Sequence, residues 1–185
     1  MPSALLLLAE GAEEMETVIV ADVLRRAGVS VVIAGVSGSG PVLCSRDVKI
    51  VPDKGLKEAL SAGSYDIIIC PGGAKGSETL CKNAEVGKAL KDQEAKGGYI
   101  AAVCAAPTCL AAHNIYKGKK VTSYPGMGDK LKENYKYLED RVVIDGKLIT
   151  SRAPGTCFEF ALAIVEQLVG KEKSISLIKP LLLNL

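Results

Sequence analysis

Tyr99-Ile-Ala-Ala-Val-Cys104-Ala-Ala-Pro107-Thr108 is the stretch whose reading decides the fold. A β-type apolar run stops at a cysteine and small residues open a helix at once, which predicts a strand, a tight turn and a thiol at the apex. A side chain at such an elbow projects from the carboxyl end of a central strand, where first-turn amides and the helix dipole stabilise an anion. A cysteine there is expected to have a lowered pKa and to act as a nucleophile. Pro107 suits an early helical position, because its missing N–H would have had no partner there. The competing reading is a buried cysteine serving as a small apolar residue.

Outward from this elbow, strands and helices alternate. Residues 4–9 read as a continuous apolar strand, 13–27 as a helix stopped by Gly28, and 29–35 as a second strand. Strands apolar at successive positions belong to a parallel sheet covered on both faces. The first turn, Glu10-Gly-Ala-Glu13-Glu14, lacks G-x-G-x-x-G, so no dinucleotide fingerprint stands there. Residues 41–44 and 48–51 predict an edge hairpin around Ser45-Arg46-Asp47, and 65–70 a buried strand running into Pro71-Gly72-Gly73. Residues 77–96 predict helix broken near 81–84, and Pro107–His113 a short helix. Asp145-Gly146 between two apolar runs is a hairpin signal. Residues 158–169 predict an amphipathic helix with Thr156 as N-cap and Gly170 as stop. The tail, 171–185, is expected to be partly helical and to pack its leucines on its own domain.

With 185 residues, 48% of them apolar, one domain spanning 1–185 is expected. Lysine plus arginine number 23 against 21 acidic residues, with no long basic run, so nucleic acid is not an expected partner. The apolar run at 4–9 is far short of a membrane span, lacks a basic leader and runs into acidic residues; a soluble protein without a secretory signal is expected. Six cysteines at irregular spacing point to a reducing compartment rather than a disulfide framework. A single histidine and no C-x-x-C pair leave no expectation of a metal or other cofactor.

In an open parallel sheet, loops at the carboxyl ends of different strands converge. If the strand order joins them, Cys104 is the nucleophile, the amides of Gly73 and Ala105 hold an oxyanion, and a carboxyl from the first helix completes the site. Spacing does not choose among Glu13, Glu14 and Glu16. Helix-entry glutamates also serve as solvated dipole partners, and a glycine pair as a turn without chemistry.

Five ordered motifs make the resemblance specific: Glu10-Gly-Ala-Glu-Glu-Met-Glu16-Thr-Val, Cys44-Ser-Arg46-Asp47-Val, Pro71-Gly72-Gly73, the Cys104 elbow, and Ser151-Arg152-Ala-Pro154-Gly155-Thr156-Cys-Phe-Glu-Phe-Ala-Leu-Ala-Ile. Nearly end to end, the chain resembles the Parkinsonism-associated DJ-one proteins of the ThiJ/PfpI superfamily. The resemblance implies a flavodoxin-like three-layer α/β sandwich with a mostly parallel sheet, and a homodimer. It implies that Cys104 is an oxidation-sensitive thiol hydrogen-bonded to Glu16, with Gly73 and Ala105 as backbone donors. Arg26, Arg46 and Pro154 are carried over to the pocket or dimer interface, and cytoplasmic, mitochondrial and nuclear pools are implied. Cys44 is expected to be an interface thiol open to modification, while Cys70, Cys81, Cys109 and Cys157 read as packing residues.

The family commonly has a histidine before the proline of the segment written here Ser123-Tyr124-Pro125, so Tyr124 is a departure. His113, nine residues past Cys104, reads as a packing or surface histidine. Without a Cys–His base, amide cleavage is disfavoured and addition to a reactive aldehyde such as methylglyoxal is favoured. The expected activity is therefore a slow, cofactor-free, glutathione-independent glyoxalase with a protein deglycase relative. The alternative is a redox sensor and chaperone-like dimer, switched by Cys104 oxidation and acting on client proteins.

Overall fold

The computed structural model describes residues 1–185. In chain order the elements are β1 (Ser3–Leu8), α1 (Glu14–Arg26), β2 (Ser30–Gly35), β3 (Val42–Leu43), β4 (Lys49–Ile50), β5 (Lys54–Gly55), α2 (Leu56–Ser61) and β6 (Ile67–Cys70). Then follow α3 (Ala74–Lys82), α4 (Ala84–Ala95), β7 (Tyr99–Val103), α5 (Pro107–His113), β8 (Lys120–Val121), β9 (Lys136–Tyr137), β10 (Val142–Asp145), β11 (Leu148–Ser151), α6 (Cys157–Leu168) and α7 (Lys171–Ile178).

The order across the main sheet is β10-β11-β7-β6-β1-β2-β5, parallel except for β10. β1 shows why the strands read as unbroken apolar runs. Ala4, Leu6 and Leu8 face a core shared with α1, α6 and α7, while Leu5 and Leu7 face a second core under α2, α3, α4 and α5. Both faces are covered, so alternation of polar and apolar residues is absent. Each buried leucine of β1 contributes roughly 1.5–3 kcal/mol of transfer free energy. The result is a flavodoxin-like three-layer α/β sandwich, and no helix is long and apolar enough to cross a membrane.

The order of winding reverses between β1 and β6: β2 and β5 lie on one side of β1, and β6, β7, β11 and β10 lie on the other. Loops leaving β1 and β6 at their carboxyl ends open a crevice at such a switch point. The β3–β4 hairpin is a separate two-stranded sheet beside this edge, tied to it by Gly11 N donating to Leu43 O and Ser45 N donating to Ala12 O.

Two local expectations change. The β10–β11 loop is Gly146-Lys147 rather than Asp145-Gly146, because Asp145 pairs with Leu148 as the last ladder residue. Gly146, at φ +64, takes the first loop position, which type II′ geometry assigns to glycine. Thr156 precedes α6 but does not cap it with its side chain. Its Oγ1 instead accepts from the Arg152 and Ala153 amides and holds the turn that carries Pro154. In the tail, Leu177 is buried and Leu181 and Leu183 pack on the core, whereas Leu182 and Leu185 are exposed.

Candidate active site

β7 ends at Val103, and Cys104 takes φ +63, a left-handed conformation that costs a β-carbon-bearing residue on the order of 1–3 kcal/mol. β11 and the loop after β8 hold it there: Cys104 N donates to Ser151 O at 3.1 Å, and Tyr124 N donates to Cys104 O at 2.8 Å. The kink turns the thiol out of the sheet to where it is 9% exposed.

Two amides face the sulfur. Gly73 is the N-cap of α3 at φ +89, and Ala105 follows the kink; both N–H groups act on the Cys104 thiol to lower its pKa. A β-carbon on Gly73 would stand 2.3 Å from Gly11 O, so glycine is what lets the β1 and β6 loops approach. Gly72 is equally confined, since a β-carbon there would lie 2.6 Å from both Cys104 Cβ and Glu16 Oε2.

The three glutamates that spacing left equivalent have three different tasks. Glu13 is the N-cap of α1, its Oε2 accepting from Glu16 N at 2.9 Å. Glu14 is buried under the hairpin, where its carboxylate accepts from Ser45 Oγ and Arg46 N, each at 2.8 Å. Burial alone would raise its pKa, but these donors and its own backbone amide win and lower it. Glu16 is 0% exposed; Oε2 accepts from Gly72 N at 2.6 Å. Its Oε1 has no N–H or O–H partner, and the Cys104 thiol is the group the carboxyl meets.

Burial raises Glu16 to about 7, against the lowering effects of Cys104 and Gly72. Burial, and then the Glu16 charge, push Cys104 up to about 12, although Gly73 and Ala105 oppose them. The expected lowering of the thiol pKa by a helix N-terminus is thus overturned: α5 begins only at Pro107, and two amides do not outweigh desolvation beside a carboxylate. These values belong to the pair. One proton leaves it near neutrality, and the second leaves only in strong base, because two touching anions repel. Near neutrality the pair therefore carries a single negative charge, beside a sulfur that faces two N–H donors.

The thiol opens into a cleft of about 620 Å³ at the carboxyl edge of the sheet. Gly73, Cys104 and Ala105 form its floor, and Cys44, Arg46, Tyr124 and Pro154 line its walls and rim. The fold thereby brings together seven of the residues singled out in the sequence, with Glu16 directly behind them. Arg26 is not among them. It sits at the far end of α1, roughly 15 Å along the helix from Glu16, and pairs with Asp22. Cys44 reaches the cleft but is only 4% exposed, and burial followed by Glu14 and Glu13 raises its pKa to about 11. That disfavours the thiolate that modification requires.

Tyr124 is 45% exposed at the mouth and reaches the elbow through its backbone. His113 lies elsewhere, its Nε2 donating to Leu80 O at 2.8 Å. Sequence reasoning missed the Gly72–Glu16 bond and the Glu14 clamp. The Gly72-Gly73 pair and the helix-entry glutamates were the sequence signals for these two. Cys157, read as a packing residue, is fully buried at the start of α6, where burial and then Glu16 raise its pKa.

Residues 2–167 match the DJ-1/PfpI family model. The Parkinson disease protein 7 homolog of Danio rerio is 53% identical over 183 residues, covering 98% of this chain and 97% of that protein. The Caenorhabditis elegans glutathione-independent glyoxalase DJR-1.2 is 49% identical over 183 residues, covering 98% and 96% respectively. Among solved structures, Drosophila melanogaster DJ-1beta superposes with a TM-score of 0.97 at 52% identity, covering 100% of this chain and 99% of that one.

Proposed function

The chain belongs to the DJ-1/PfpI family, and from that premise we propose that it protects against carbonyl and oxidative stress through Cys104, acting as a cofactor-free, glutathione-independent glyoxalase. The observation that carries this reading is the Cys104 thiol, held at φ +63 between two amide donors and a fully buried Glu16 on the floor of an open cleft. A glyoxalase-named relative at 49% identity supports it.

The chemistry follows from one proton in the pair. The Cys104 thiolate adds to the aldehyde carbon of a 2-oxoaldehyde such as methylglyoxal, and the Gly73 and Ala105 amides hold the developing oxyanion. Glu16 gives that oxygen its proton, leaving a hemithioacetal and a carboxylate base. The carboxylate takes the proton from the former aldehyde carbon and returns it to the neighbouring carbon, while the hemithioacetal hydroxyl proton passes to the former ketone oxygen, giving a thioester of the hydroxy acid. Water then releases lactate and the thiol. The redox change is internal to the substrate, so no step requires a nicotinamide or a metal. Glycated proteins, as adducts of the same aldehydes, are the substrates of the corresponding deglycase reaction.

Methylglyoxal turnover in D2O tests the assignment. Expected is lactate formed catalytically, abolished in Cys104→Ser and reduced at least about a hundredfold in Glu16→Ala. Full lactate formation by Glu16→Ala overturns the role of Glu16. Deuterium at the second carbon of lactate would show that the shuttled proton exchanges with solvent.

A second reading rests on the same donors. If peroxide oxidises Cys104 to a sulfinate, Gly73, Ala105 and a protonated Glu16 offer three hydrogen bonds to its oxygens, favouring an ordered end state. A redox-sensing, chaperone-like regulator is the consequence. Selective sulfinate at Cys104 with changed partner binding supports it; oxidation of Cys104 no faster than Cys70 or Cys109 removes it. We further propose a homodimer built on α1 and the β3–β4 hairpin, where Met15, Val18, Leu43, Val48 and Val51 are exposed.

A further inference from the structure

Cys70, Cys81 and Cys109 come from three separate parts of the chain, and β6, α3 and α5 bring their thiols into one run beneath the second sheet face. Cys70 and Cys109 share one buried cluster, and Cys81 packs against it. Cys70 and Cys109 are fully buried, whereas Cys81 is half-buried, with its Sγ 3.6 Å from Thr108 Oγ1. The run therefore opens toward solvent at one end only. The glyoxalase and Cys104-sensor readings use none of the three.

Two neighbouring thiols favour a particular oxidative outcome: once one is a sulfenic acid, its neighbour condenses with it before a second oxidation occurs. We propose that Cys81 and Cys109 form a second redox site, which peroxide converts to a disulfide joining α3 to α5. Peroxide transfers one oxygen to the accessible Cys81 thiol, giving the sulfenic acid and water. Cys109 sulfur then attacks Cys81 sulfur; the S–O bond breaks, and hydroxide leaves with the Cys109 proton as a second water. Two thiols and one peroxide become one disulfide and two waters. The Cys109 thiol and burial hold Cys81 well above the usual thiol range, so the pair rests protonated and responds to sustained rather than brief exposure.

The position of this pair gives it a consequence. α3 starts at its N-cap Gly73 and α5 follows Ala105, so the bridge would fasten together the two helices that adjoin the two donors facing Cys104. Thr108, next to Cys81, also donates to Ala105 O at 2.6 Å.

Peptide mapping of the full chain tests this. Cys104 and Cys109 share one tryptic peptide, because no lysine or arginine separates them; a Cys104→Ser background therefore assigns the bridge. The protein is held in hydrogen peroxide, trapped with N-ethylmaleimide while folded, then unfolded in iodoacetamide and digested without reduction. Expected is a cross-linked species pairing the Cys81 and Cys109 peptides, two hydrogens lighter than their sum, lost on reduction and absent in Cys81→Ser. Cys81 recovered as sulfinic or sulfonic acid with Cys109 alkylated overturns the proposal. Both thiols recovered alkylated, under exposure that fully oxidises Cys104 in the parent chain, overturns it equally.

Discussion

At the scale of the residue, the chemistry is a contest over one buried proton. If Glu16 and Cys104 share a charge, alkylation of Cys104 by iodoacetamide rises through an inflection near pH 7. That inflection disappears in Glu16→Gln. The same coupling affects stability, and its sign is fixed. The folded state holds the Glu16 proton up to about 7, above the ordinary 4.5, so this contribution is complete below pH 4.5 and is lost as pH rises through about 7. The full swing is about 3 kcal/mol. Urea melts should find Glu16→Gln gaining on the parent protein from acid to mildly alkaline pH; a constant difference contradicts the buried proton. Cys104 was legible as an elbow from its apolar approach and the small residues after it. Its raised pKa was not legible, because desolvation and the Glu16 charge depend on what folds around the sulfur.

At the scale of the element, the two glycine-bearing loops and the hairpin shape the cleft. Gly73→Ala must resolve a 2.3 Å clash with Gly11 O at positive φ, costing on the order of 1–3 kcal/mol for the backbone alone. Turnover should fall with the moved amide by roughly a hundredfold, and thermal melting together with lactate assays reads both. Glu14→Ala removes the two 2.8 Å bonds to Ser45 and Arg46 that clamp the rim. Amide exchange at Arg46 should quicken and KM should rise more than kcat falls; unchanged exchange contradicts a clamp. Helices announced themselves through Gly28, Pro107 and Gly170, which stop or start a helix by local chemistry. Thr156 deceived because a threonine before a helix matches a cap, yet Arg152 and Ala153 fold back to claim its hydroxyl. Asp145-Gly146 deceived by one residue, since ladder pairing rather than the dipeptide sets the register.

At the scale of the whole molecule, strand order assembles what the chain keeps apart. β1, β6 and β7 are neighbours, so loops more than fifty residues apart in sequence meet at one sulfur. The parallel class was readable from runs apolar on successive positions; the strand order that joins Glu16 to Gly72 was not readable from any one strand. The exposed side chains of Val18 and Val51 belong to this scale too. Sedimentation should show a dimer that Val18→Glu shifts toward monomer, and a parent chain that sediments as a monomer contradicts the proposed interface. The most direct measurement of the central claim is methylglyoxal turnover by the reduced protein, with the mass of Cys104 recorded before and after. Expected are many lactate molecules per thiol and an unmodified Cys104 at the end. Consumption of one aldehyde per thiol, with Cys104 left as a stable adduct and no lactate released, would contradict it.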